Sequence, residues 1–204
     1  MSKNPLIVFE GIEGSGKTTH VKFVCKYLTK IKRKFIKIRE PGGSKNSEKI
    51  RKLLLSNKSN FNNKTDLLLY LASRSENVEK IISKHYKKKI IILDRFIYST
   101  IAYQHYGMGI NKKLIDNLNQ FLLKNIKPDF TFINKVNKKN LFKRLKQRTF
   151  KNRYDRFNLS FYYKVQKGYL KISKNNKNCI IINSDISLND NKKIIIKNLL
   201  KILK

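Results

Sequence analysis

Short apolar segments alternate with longer amphipathic segments along this chain. The apolar segments are typical of strands buried on both faces of a parallel sheet, because polar residues do not occupy every second position. Five such strands are predicted: Leu6–Phe9, Phe35–Ile38, Ile90–Leu93, Phe130–Ile133 and Cys179–Ile182. The segments between them repeat apolar residues every three to four positions, as amphipathic helices do. These helices are predicted at Lys17–Lys32, Ser47–Leu55, Thr65–Lys84, Asn111–Lys124, Asn137–Thr149, Phe157–Lys174 and Leu188–Leu203.

Strands that alternate with helices in this way indicate a doubly wound α/β fold. We expect a five-stranded parallel sheet with helices on both faces and right-handed crossovers. The length of 204 residues suits one domain spanning residues 1–204, since no repeat or linker divides the chain. Ligands of such sheets bind beyond the carboxyl ends of the strands. The residues that follow each strand are therefore the first candidates for a functional site.

The first strand is followed by a glycine-rich loop. Gly11, Gly16, Lys17 and Thr18 have the G-x-x-x-x-G-K-[ST] spacing of a phosphate-binding loop. Glycines let backbone N–H groups surround an anion, and the helix that follows adds the positive end of its dipole. Lys17 can reach the terminal phosphates, and the Thr18 hydroxyl can bind Mg²⁺. The sequence therefore predicts a P-loop NTPase fold with a nucleoside triphosphate site.

Charged residues also follow the second and third strands. Glu40 precedes Pro41, which favours an extended conformation, and Asp94 and Arg95 end the third strand. In P-loop enzymes an acid beside the loop holds Mg²⁺, and an arginine can clamp a phosphate with two hydrogen bonds. Structural roles fit as well: a turn with a solvated ion pair at Glu40, and a structural Asp–Arg pair at Asp94.

The predicted helix Thr65–Lys84 carries polar residues beside its apolar stripe. Tyr70, Arg74 and Asn77 share one side of this helix, because they lie four and three positions apart. Arg74 either extends along apolar surface to water or, together with Tyr70, holds a planar polar ligand. The pattern leaves both readings open. Arg51, one helix earlier, has by itself the appearance of a surface charge.

The chain is strongly basic. It has 47 Lys and Arg residues against 13 Asp and Glu residues, a formal net charge of +34. Such a field attracts nucleic acids, anionic membranes and anionic substrates. The lysines are scattered over most predicted helices, so we predict incidental rather than specific nucleic-acid binding. No apolar run approaches the ~20 residues of a membrane span, and the two cysteines suit a reducing compartment. We therefore predict no membrane partner and a cytoplasmic location.

At the third strand the chain resembles the bacterial thymidylate kinases. The family signature requires an Asp-Arg-aromatic triplet after apolar residues, then Ser, a small polar residue, Ala, an aromatic residue and a small or amide residue at fixed spacing. The segment 92–104 satisfies every position. Residues 39–43, Arg-Glu-Pro-Gly-Gly, match the second-strand turn of the family. The phosphate-binding loop and the spacing from Tyr70 to Arg74 agree too.

The resemblance also implies a mobile lid, at about residues 144–157. In the subfamily that this chain resembles, the phosphate-binding loop lacks an arginine and the lid provides the catalytic one. Glu13 stands in the loop where other subfamilies place an acid followed by Arg. An alignment with a short deletion puts Arg156 at the catalytic position, and an ungapped alignment puts Arg153 there. We favour Arg156, with Arg153 as the alternative.

The resemblance implies a reaction and its participants. The γ-phosphoryl group of ATP would move to dTMP, giving dTDP and ADP for dTTP synthesis, with Mg²⁺ as cofactor and a homodimer as the assembly. Catalytic roles are implied for Lys17, Glu13, Arg95 and Arg156 or Arg153, and metal binding for Thr18 and Asp94. ATP contacts are implied for Gly11, Ile12, Glu13, Gly14, Ser15, Gly16, Lys17, Thr18, Thr19, Arg144 and Arg148. The dTMP contacts implied are Glu40, Pro41, Arg51, Tyr70, Arg74, Arg95, Ser99, Thr100, Tyr103 and Gln104.

Two other functions fit parts of the sequence. Another P-loop kinase of nucleosides or nucleotides would share Lys17 and Asp94 but accept a different substrate. An ATP-dependent nucleic-acid-binding factor would account for the charge, and it predicts ATP hydrolysis stimulated by polynucleotides.

Overall fold

A five-stranded parallel sheet forms the centre of the molecule. The computed structural model describes residues 4–149, 152–174 and 176–203. The predicted strands are confirmed, and each continues by one or two residues at its carboxyl end. Their bounds are β1 Leu6–Gly11, β2 Phe35–Arg39, β3 Ile90–Asp94, β4 Phe130–Lys135 and β5 Cys179–Asn183, in the order β2-β3-β1-β4-β5.

The register of the sheet brings three strand ends together. β1 lies between β3 and β4, and Phe9 pairs with Asp94 while Gly11 pairs with Asn134. The backbone N–H of Arg95 donates to the carbonyl oxygen of Phe9 at 2.9 Å, one residue beyond β3. Polar side chains at the ends of β3 and β4 therefore flank the loop that follows β1.

Eight helices connect or follow these strands in the described part of the chain. Asparagine and serine side chains accept a backbone N–H from the first turn of five of the helices and so set where these helices begin. They belong to Ser44, Asn62, Asn111, Asn137 and Ser187. The helices are α1 Lys17–Lys30, α2 Lys45–Leu55, α3 Asn63–Asn77, α4 Ile97–Thr100, α5 Lys112–Leu123, α6 Lys138–Lys146, α7 Leu159–Lys174 and α8 Leu188–Ile202.

Two of the helix predictions need correction. The segment predicted as Thr65–Lys84 is not one regular helix, because α3 continues through a π-helical turn at Val78–Ile82 and a final turn at Ser83–His85. The helix predicted to reach Thr149 ends at Lys146, and a 3₁₀ turn at Arg153–Arg156 precedes α7.

One helix, α4, lies outside every segment that the sequence pattern predicted to be helical. α4, which buries Thr100, continues through a π-helical segment, Ile101–Gly107, which buries the polar residues Tyr103 and Gln104. A π-helix bonds i to i+5 rather than i to i+4. Its apolar positions therefore depart from the regular helical period, and its buried polar positions interrupt the apolar stripe.

Helices cover both faces of the sheet, as predicted. Ile7 and Phe9 point to one face, where they pack against Val24 of α1 and Leu199 of α8. Val8 points to the other face and packs in a cluster with residues from β3, the π-helical turn after α3, and α5. Alternate residues of β1 thus contribute to different cores, which requires the uninterrupted apolar sequence that marks the strand.

Among the described helices, none combines the length and the hydropathy needed to cross a lipid bilayer.

Candidate active site

A cavity of about 670 Å³ opens at the carboxyl ends of β1, β2 and β3. We call it the cleft. The loop after β1 forms one wall, and side chains from α2, α3 and α4 form the opposite wall. Representative lining residues are Lys17, Arg51, Tyr70, Asp94, Arg95 and Gln104. All residues predicted from the loop Ile12–Thr19 line this cavity, which is the expected position for a ligand of such a sheet.

Close backbone packing shapes the loop that begins at Gly11. A Cβ atom on Gly11, whose φ is 139°, would lie 2.7 Å from the carbonyl oxygen of Asn134. Gly16 has a φ of 80° and directly precedes α1. Only glycine adopts these conformations without strain. The loop therefore turns tightly enough to aim the first N–H groups of α1 into the cleft.

Lys17 and Asp94 form an ion pair at the base of the cleft. The Lys17 Nζ lies 2.9 Å from Asp94 Oδ1, and both side chains are largely buried. Burial lowers the pKa of Lys17, and the charge of Arg95 lowers it further while Asp94 raises it. Burial also acts to raise the pKa of Asp94, but the charge and hydrogen bond of Lys17 together with the charge of Arg95 outweigh it and hold the pKa of Asp94 below its usual value.

Arg95 is held in the middle of the cleft. Its φ of 74° lies in the left-handed region, which non-glycine residues rarely adopt. The guanidinium lies 2.7 Å from a carboxylate oxygen of Glu13, 3.3 Å from the Ser99 hydroxyl and 5.1 Å above the ring of Tyr103. The Tyr103 hydroxyl donates to the other oxygen of Glu13. Arg95, Glu13 and Tyr103 thus orient one another.

The charge of Arg95 also governs the ionisation of Glu13. Burial acts to raise the pKa of Glu13, but the charge of Arg95 and the hydrogen bond from Tyr103 outweigh it and lower the pKa below its usual value. Glu13 is therefore a carboxylate that holds Arg95 and leaves the rest of its guanidinium turned towards Ser99.

Arg74 does not extend to water, so one of the two readings left open by the sequence is wrong. Only 2% of Arg74 is exposed. Its Nε and Nη2 lie 2.9 and 2.8 Å from Glu40 Oε2, and its Nη1 donates to Asn119 Oδ1 at 2.6 Å. Its guanidinium carbon lies 5.1 Å from the centre of the Phe96 ring. Arg74 is therefore fixed at the cleft wall.

Glu40 is the buried partner of Arg74. The solvated ion pair considered for this turn belongs instead to its neighbour Arg39, which pairs with Glu48 at 3.0 Å on the surface. Burial raises the pKa of Glu40 despite the charge of Arg74. Glu40 lines the cleft, and one of its oxygens, Oε1, has no hydrogen-bond partner among the residues that the structure describes.

The remaining predicted acceptor residues also line the cleft. Arg51 donates to the carbonyl oxygen of Pro41 at 2.6 Å, and Thr100 and Gln104 are buried in the same wall. Tyr70 meets a lid residue, Tyr154, edge-on. The cleft therefore brings together the predicted acceptor residues Pro41, Arg51, Tyr70, Ser99, Thr100, Tyr103 and Gln104.

The four predicted lid arginines lie in two groups. Arg144 donates to the carbonyl oxygens of Gly14 and Ser184 at 3.0 and 2.8 Å, and Arg148 forms an ion pair with Asp155. Both arginines line the cleft. Residues 150 and 151 of the predicted lid lie outside the described residues.

The structure does not bring Arg153 and Arg156 into the cleft. Arg153 donates to the carbonyl oxygen of Leu54 at 3.1 Å and forms an ion pair with Asp66. Arg156 is exposed and donates to the carbonyl oxygen of Asn57. Arg153 therefore contacts α2 and α3, and Arg156 contacts the segment between these helices.

Glu10 supports the site and was missed by the sequence analysis. It is fully buried, and its Oε1 accepts the backbone N–H groups of Phe96 and Ser99 at 2.9 and 3.1 Å. Its Oε2 accepts the hydroxyls of Ser99 and Tyr169 at 2.5 and 3.1 Å. The sequence feature that could have identified Glu10 is its position as an acid directly after the apolar residues of β1, where a buried charge is costly unless it is paired.

Two further missed residues hold the phosphate-binding loop from behind. Asn134, at the end of β4, donates to the carbonyl oxygen of Ser15 at 3.2 Å and contacts His20 Nδ1 at 2.6 Å. The Ser184 hydroxyl also donates to the carbonyl oxygen of Ser15, at 2.5 Å. No local motif marks these residues, because their partners lie more than a hundred positions earlier.

The fold and the cleft define the class of this protein. A glycine-rich loop with Lys17 at the start of a helix binds phosphates, and Arg95 in the middle of the cleft with Arg51 on the opposite wall suits a second phosphorylated ligand. This is a P-loop NTPase with the two-sided site of a nucleotide kinase. The chain belongs to the thymidylate kinase family, since the family model described as "Thymidylate kinase" matches residues 9–195.

Individual relatives agree with this assignment. A thymidylate kinase of Thermosipho africanus is 40% identical over 185 residues, which cover 90% of this chain and 92% of that protein. A thymidylate kinase of Wolbachia pipientis wMel is 41% identical over 190 residues, covering 91% and 93%. The crystal structure of thymidylate kinase from Ehrlichia chaffeensis superposes with a TM-score of 0.79 at 37% identity, covering 96% of this chain and 98% of that one.

Proposed function

We propose that this chain is a dTMP kinase, which transfers the γ-phosphoryl group of ATP to the 5′-phosphate of dTMP and gives ADP and dTDP for dTTP synthesis. The observation that carries the proposal is the position of Arg95 in the cleft between the phosphate-binding loop and the wall formed by Tyr70 and Arg74. Membership of the thymidylate kinase family supports dTMP as the acceptor.

The donor nucleotide would lie on the phosphate-binding loop. Lys17 and the loop amides would hold the β- and γ-phosphates, and Arg144 would keep the loop against the segment after β5. The ion pair of Lys17 with Asp94 places the lysine beside the proposed metal site. Arg148 would bind phosphate oxygens of ATP, because it lies on the cleft wall.

The residues around Lys17 fit a bound Mg²⁺ ion. The pKa of Asp94 is low enough to keep it ionised, and Thr18 is exposed at the first turn of α1. No three His, Cys, Asp or Glu side chains cluster as a metal site in the described segments. This composition suits Mg²⁺, which keeps several waters and takes other ligands from phosphates. Thr18 and, through water, Asp94 would hold the ion, which supplies charge neutralisation at the phosphates.

The acceptor nucleotide would occupy the opposite wall. Arg95 would clamp its phosphate, Tyr70 would stack on thymine, and Arg74 and Gln104 would address the edge of the ring. Burial and paired hydrogen bonds hold Arg74 and Arg95 in place, so little ordering is needed when the ligand binds. Tyr103 would crowd a ribose 2′-hydroxyl and so favour the deoxynucleotide.

The reaction needs no general base. The second pKa of a phosphate monoester is about 6, so the acceptor oxygen is largely ionised at neutral pH. Catalysis then consists of positioning two polyanions in line and neutralising their charge. A lid arginine would close over the transferring group. Arg156 and Arg153 are the candidates, and each would first leave its present contact with the carbonyl oxygen of Asn57 or Leu54.

The family also implies a homodimer, and one surface supports it. The packed helices α3 and α5 expose Leu68, Leu114 and Phe121 by 59, 49 and 77% of their surface. Large apolar side chains exposed together on neighbouring helices favour contact with another protein surface. We propose that a second copy of this chain covers this surface.

The cytoplasmic location remains a prediction from the sequence.

The acceptor is identified by measuring ADP release with dTMP, dUMP, dCMP, AMP and GMP. We expect dTMP to be the best substrate and dUMP to be poorer by about fourfold in kcat/KM, because burying the thymine methyl contributes about 0.8 kcal/mol. Lys17→Ala should abolish transfer, whereas Lys22→Ala, an exposed lysine on the same helix, should leave it unchanged. Retained turnover in Lys17→Ala, or ATP hydrolysis stimulated by polynucleotides without a nucleoside diphosphate product from the acceptor, would contradict the proposal.

A further inference from the structure

One lid residue reaches into the acceptor side of the cleft. Tyr154 belongs to the 3₁₀ turn Arg153–Arg156, yet only 3% of it is exposed. Its ring meets the rings of Tyr70 and Tyr103 edge-on, with both centroids 6.1 Å away. Tyr154 therefore contacts both aromatic residues that the proposed function places around the acceptor nucleotide.

Asp66 anchors Tyr154 to the acceptor-side helix. The Tyr154 hydroxyl donates to Asp66 Oδ2 at 3.0 Å, and Asp66 Oδ1 pairs with Arg153. Asp66, Tyr70 and Arg74 follow at intervals of four along α3, so they form one row on its surface. The residue that holds the lid and the residues that face the base are thus neighbours on the same helix.

The contact between Tyr154 and Asp66 involves a buried carboxylate, which needs a partner for each of its oxygens. Asp66 is 3% exposed, and a buried carboxylate is costly unless its oxygens are paired. Arg153 and Tyr154 together provide that pairing, one partner for each oxygen. Burial raises the pKa of Tyr154 well above its usual value, and the neighbouring Tyr70 and Asp66 raise it further, so Tyr154 stays protonated as a donor.

We propose that Tyr154 is a positioning residue for the acceptor nucleotide. It fixes the ring of Tyr70 in the orientation that receives the base, and Asp66 holds it there. The inference rests on the proposed function, because it takes Tyr70 as the residue that stacks on thymine. It assigns part of the acceptor pocket to the lid, so that acceptor binding and lid docking support each other.

The backbone of Tyr154 is held independently of its hydroxyl group. Its N–H donates to Asn152 Oδ1 at 2.9 Å, and its carbonyl oxygen accepts the Tyr162 hydroxyl at 2.9 Å. Replacing Tyr154 by Phe therefore removes the bond to Asp66 and leaves the ring and the turn in place. This makes Tyr154→Phe a specific test.

The test measures dTMP binding by titration calorimetry without ATP. We expect Tyr154→Phe to raise the Kd for dTMP by about three- to tenfold, the effect of losing one hydrogen bond in an aligned pocket. The KM for dTMP should rise in parallel. The kcat and the KM for ATP should stay close to the wild-type values, because the hydroxyl does not contact the phosphate-binding loop. The Tm should fall by a few degrees, because Asp66 Oδ2 loses its partner.

Two further variants control this result. Tyr163→Phe changes a tyrosine on α7 whose ring lies under the Lys138 ammonium group at 4.8 Å, outside the cleft, and should leave dTMP binding unchanged. Asp66→Ala removes both the acceptor of the Tyr154 hydroxyl and the ion pair with Arg153. The double variant Asp66→Ala with Tyr154→Phe should bind dTMP about as weakly as Asp66→Ala alone, since the hydroxyl then has no bond to Asp66 left to lose.

Four other results would overturn the inference, and one of them would also overturn the proposed function. An unchanged Kd for dTMP in Tyr154→Phe overturns the inference, and so does an equal loss of affinity for dTMP and for an ATP analogue, which would mean a general structural role. Additive effects in the double variant also overturn it. Wild-type protein that binds no dTMP contradicts the proposed function and this inference with it, whereas wild-type binding with an unaltered variant contradicts only the role of Tyr154.

Discussion

Glu10 joins three elements at one buried carboxylate. Its oxygens accept two backbone N–H groups at the start of α4 and the hydroxyls of Ser99 on α4 and Tyr169 on α7. The N–H groups at a helix start have no partner within the helix, and negative charge there is favoured by the helix dipole. Glu10 therefore takes the place of a local capping residue for α4 and sets where Arg95 leaves the sheet.

Truncating Glu10 should be costly. We expect Glu10→Ala to lower the free energy of unfolding by about 2–4 kcal/mol, because it leaves a cavity and several buried donors without an acceptor. Urea denaturation measures this loss. Glu10→Gln, which keeps the shape and one acceptor oxygen, should cost clearly less than Glu10→Ala. Equal costs for the two variants would show that the acceptor role is unimportant.

A comparison of the wild type with Glu10→Gln tests the ionisation of Glu10. Burial raises the pKa of Glu10 above 4.5, against the bonds from Ser99 and the charge of Arg95. The folded state then holds the proton at pH values where the unfolded state has lost it. The free energy of unfolding of the wild type, relative to Glu10→Gln, should therefore fall as pH rises from 4.5 through the raised pKa. A rise over that range would contradict the argument.

At the scale of elements, two helices that carry acceptor residues continue as π-helices. Val78–Ile82 follows Arg74 on α3, and Ile101–Gly107 carries Tyr103 and Gln104 after α4. Such segments recur at functional sites because the wider turn re-aims side chains. In this molecule the segment after α4 also packs closely against α7, through Gly107 and Gly168.

Gly168 tests that packing. A Cβ atom at Gly168 would lie 2.5 Å from Cδ2 and 2.8 Å from Cβ of Tyr106. Alanine is favoured over glycine inside a helix by about 1 kcal/mol, but overpacking costs about 1–3 kcal/mol. We therefore expect Gly168→Ala to lower the free energy of unfolding by about 1 kcal/mol in urea denaturation. Lys167→Ala, at an exposed position of the same helix, should change it by less than about 0.5 kcal/mol. A stabilised Gly168→Ala would contradict the close approach.

At the scale of the whole molecule, the acids are concentrated where the cations must be held. Of the 13 acidic residues, Glu10, Glu13, Glu40 and Asp94 all lie in or beside the cleft, whereas most of the 47 basic residues lie elsewhere. The net positive field steers anionic nucleotides to the protein, and the acids in the cleft fix the local arginines and lysine in position. The net charge of the protein therefore attracts nucleotides from a distance, whereas the acids in the cleft orient the side chains that bind them.

Assembly is also decided at this scale. We expect the protein to sediment as a dimer and Phe121→Asp to shift it to the monomer, because a charge on the exposed face of α3 and α5 opposes the burial of Leu68 and Leu114. Phe142→Asp places the same charge on another exposed phenylalanine, on α6, and should leave the dimer intact. A wild-type monomer, or equal dissociation in both variants, would contradict the proposed interface.

The sequence could predict the sheet, the phosphate-binding loop and most helices because each depends on residues close together in the chain. Uninterrupted apolar segments marked the five strands, and the spacing from Gly11 to Thr18 marked the loop. α4 escaped prediction because buried polar residues and a π-helical turn disrupted its periodicity. Glu10 escaped because its partners on α4 and α7 are distant in the chain.

By itself, the sequence determined the strand pattern, the phosphate-binding loop and the resemblance to a kinase family, since these depend on local order and spacing. The folded structure was needed to show that Arg74 is buried on Glu40 and that Glu10 caps α4. It was also needed to show that Arg144 and Arg148, rather than Arg153 and Arg156, line the cleft. The physical reason is that an arginine or a carboxylate takes whichever partner the folded chain brings within about 3 Å. That partner lies on another element, and residue spacing does not specify it.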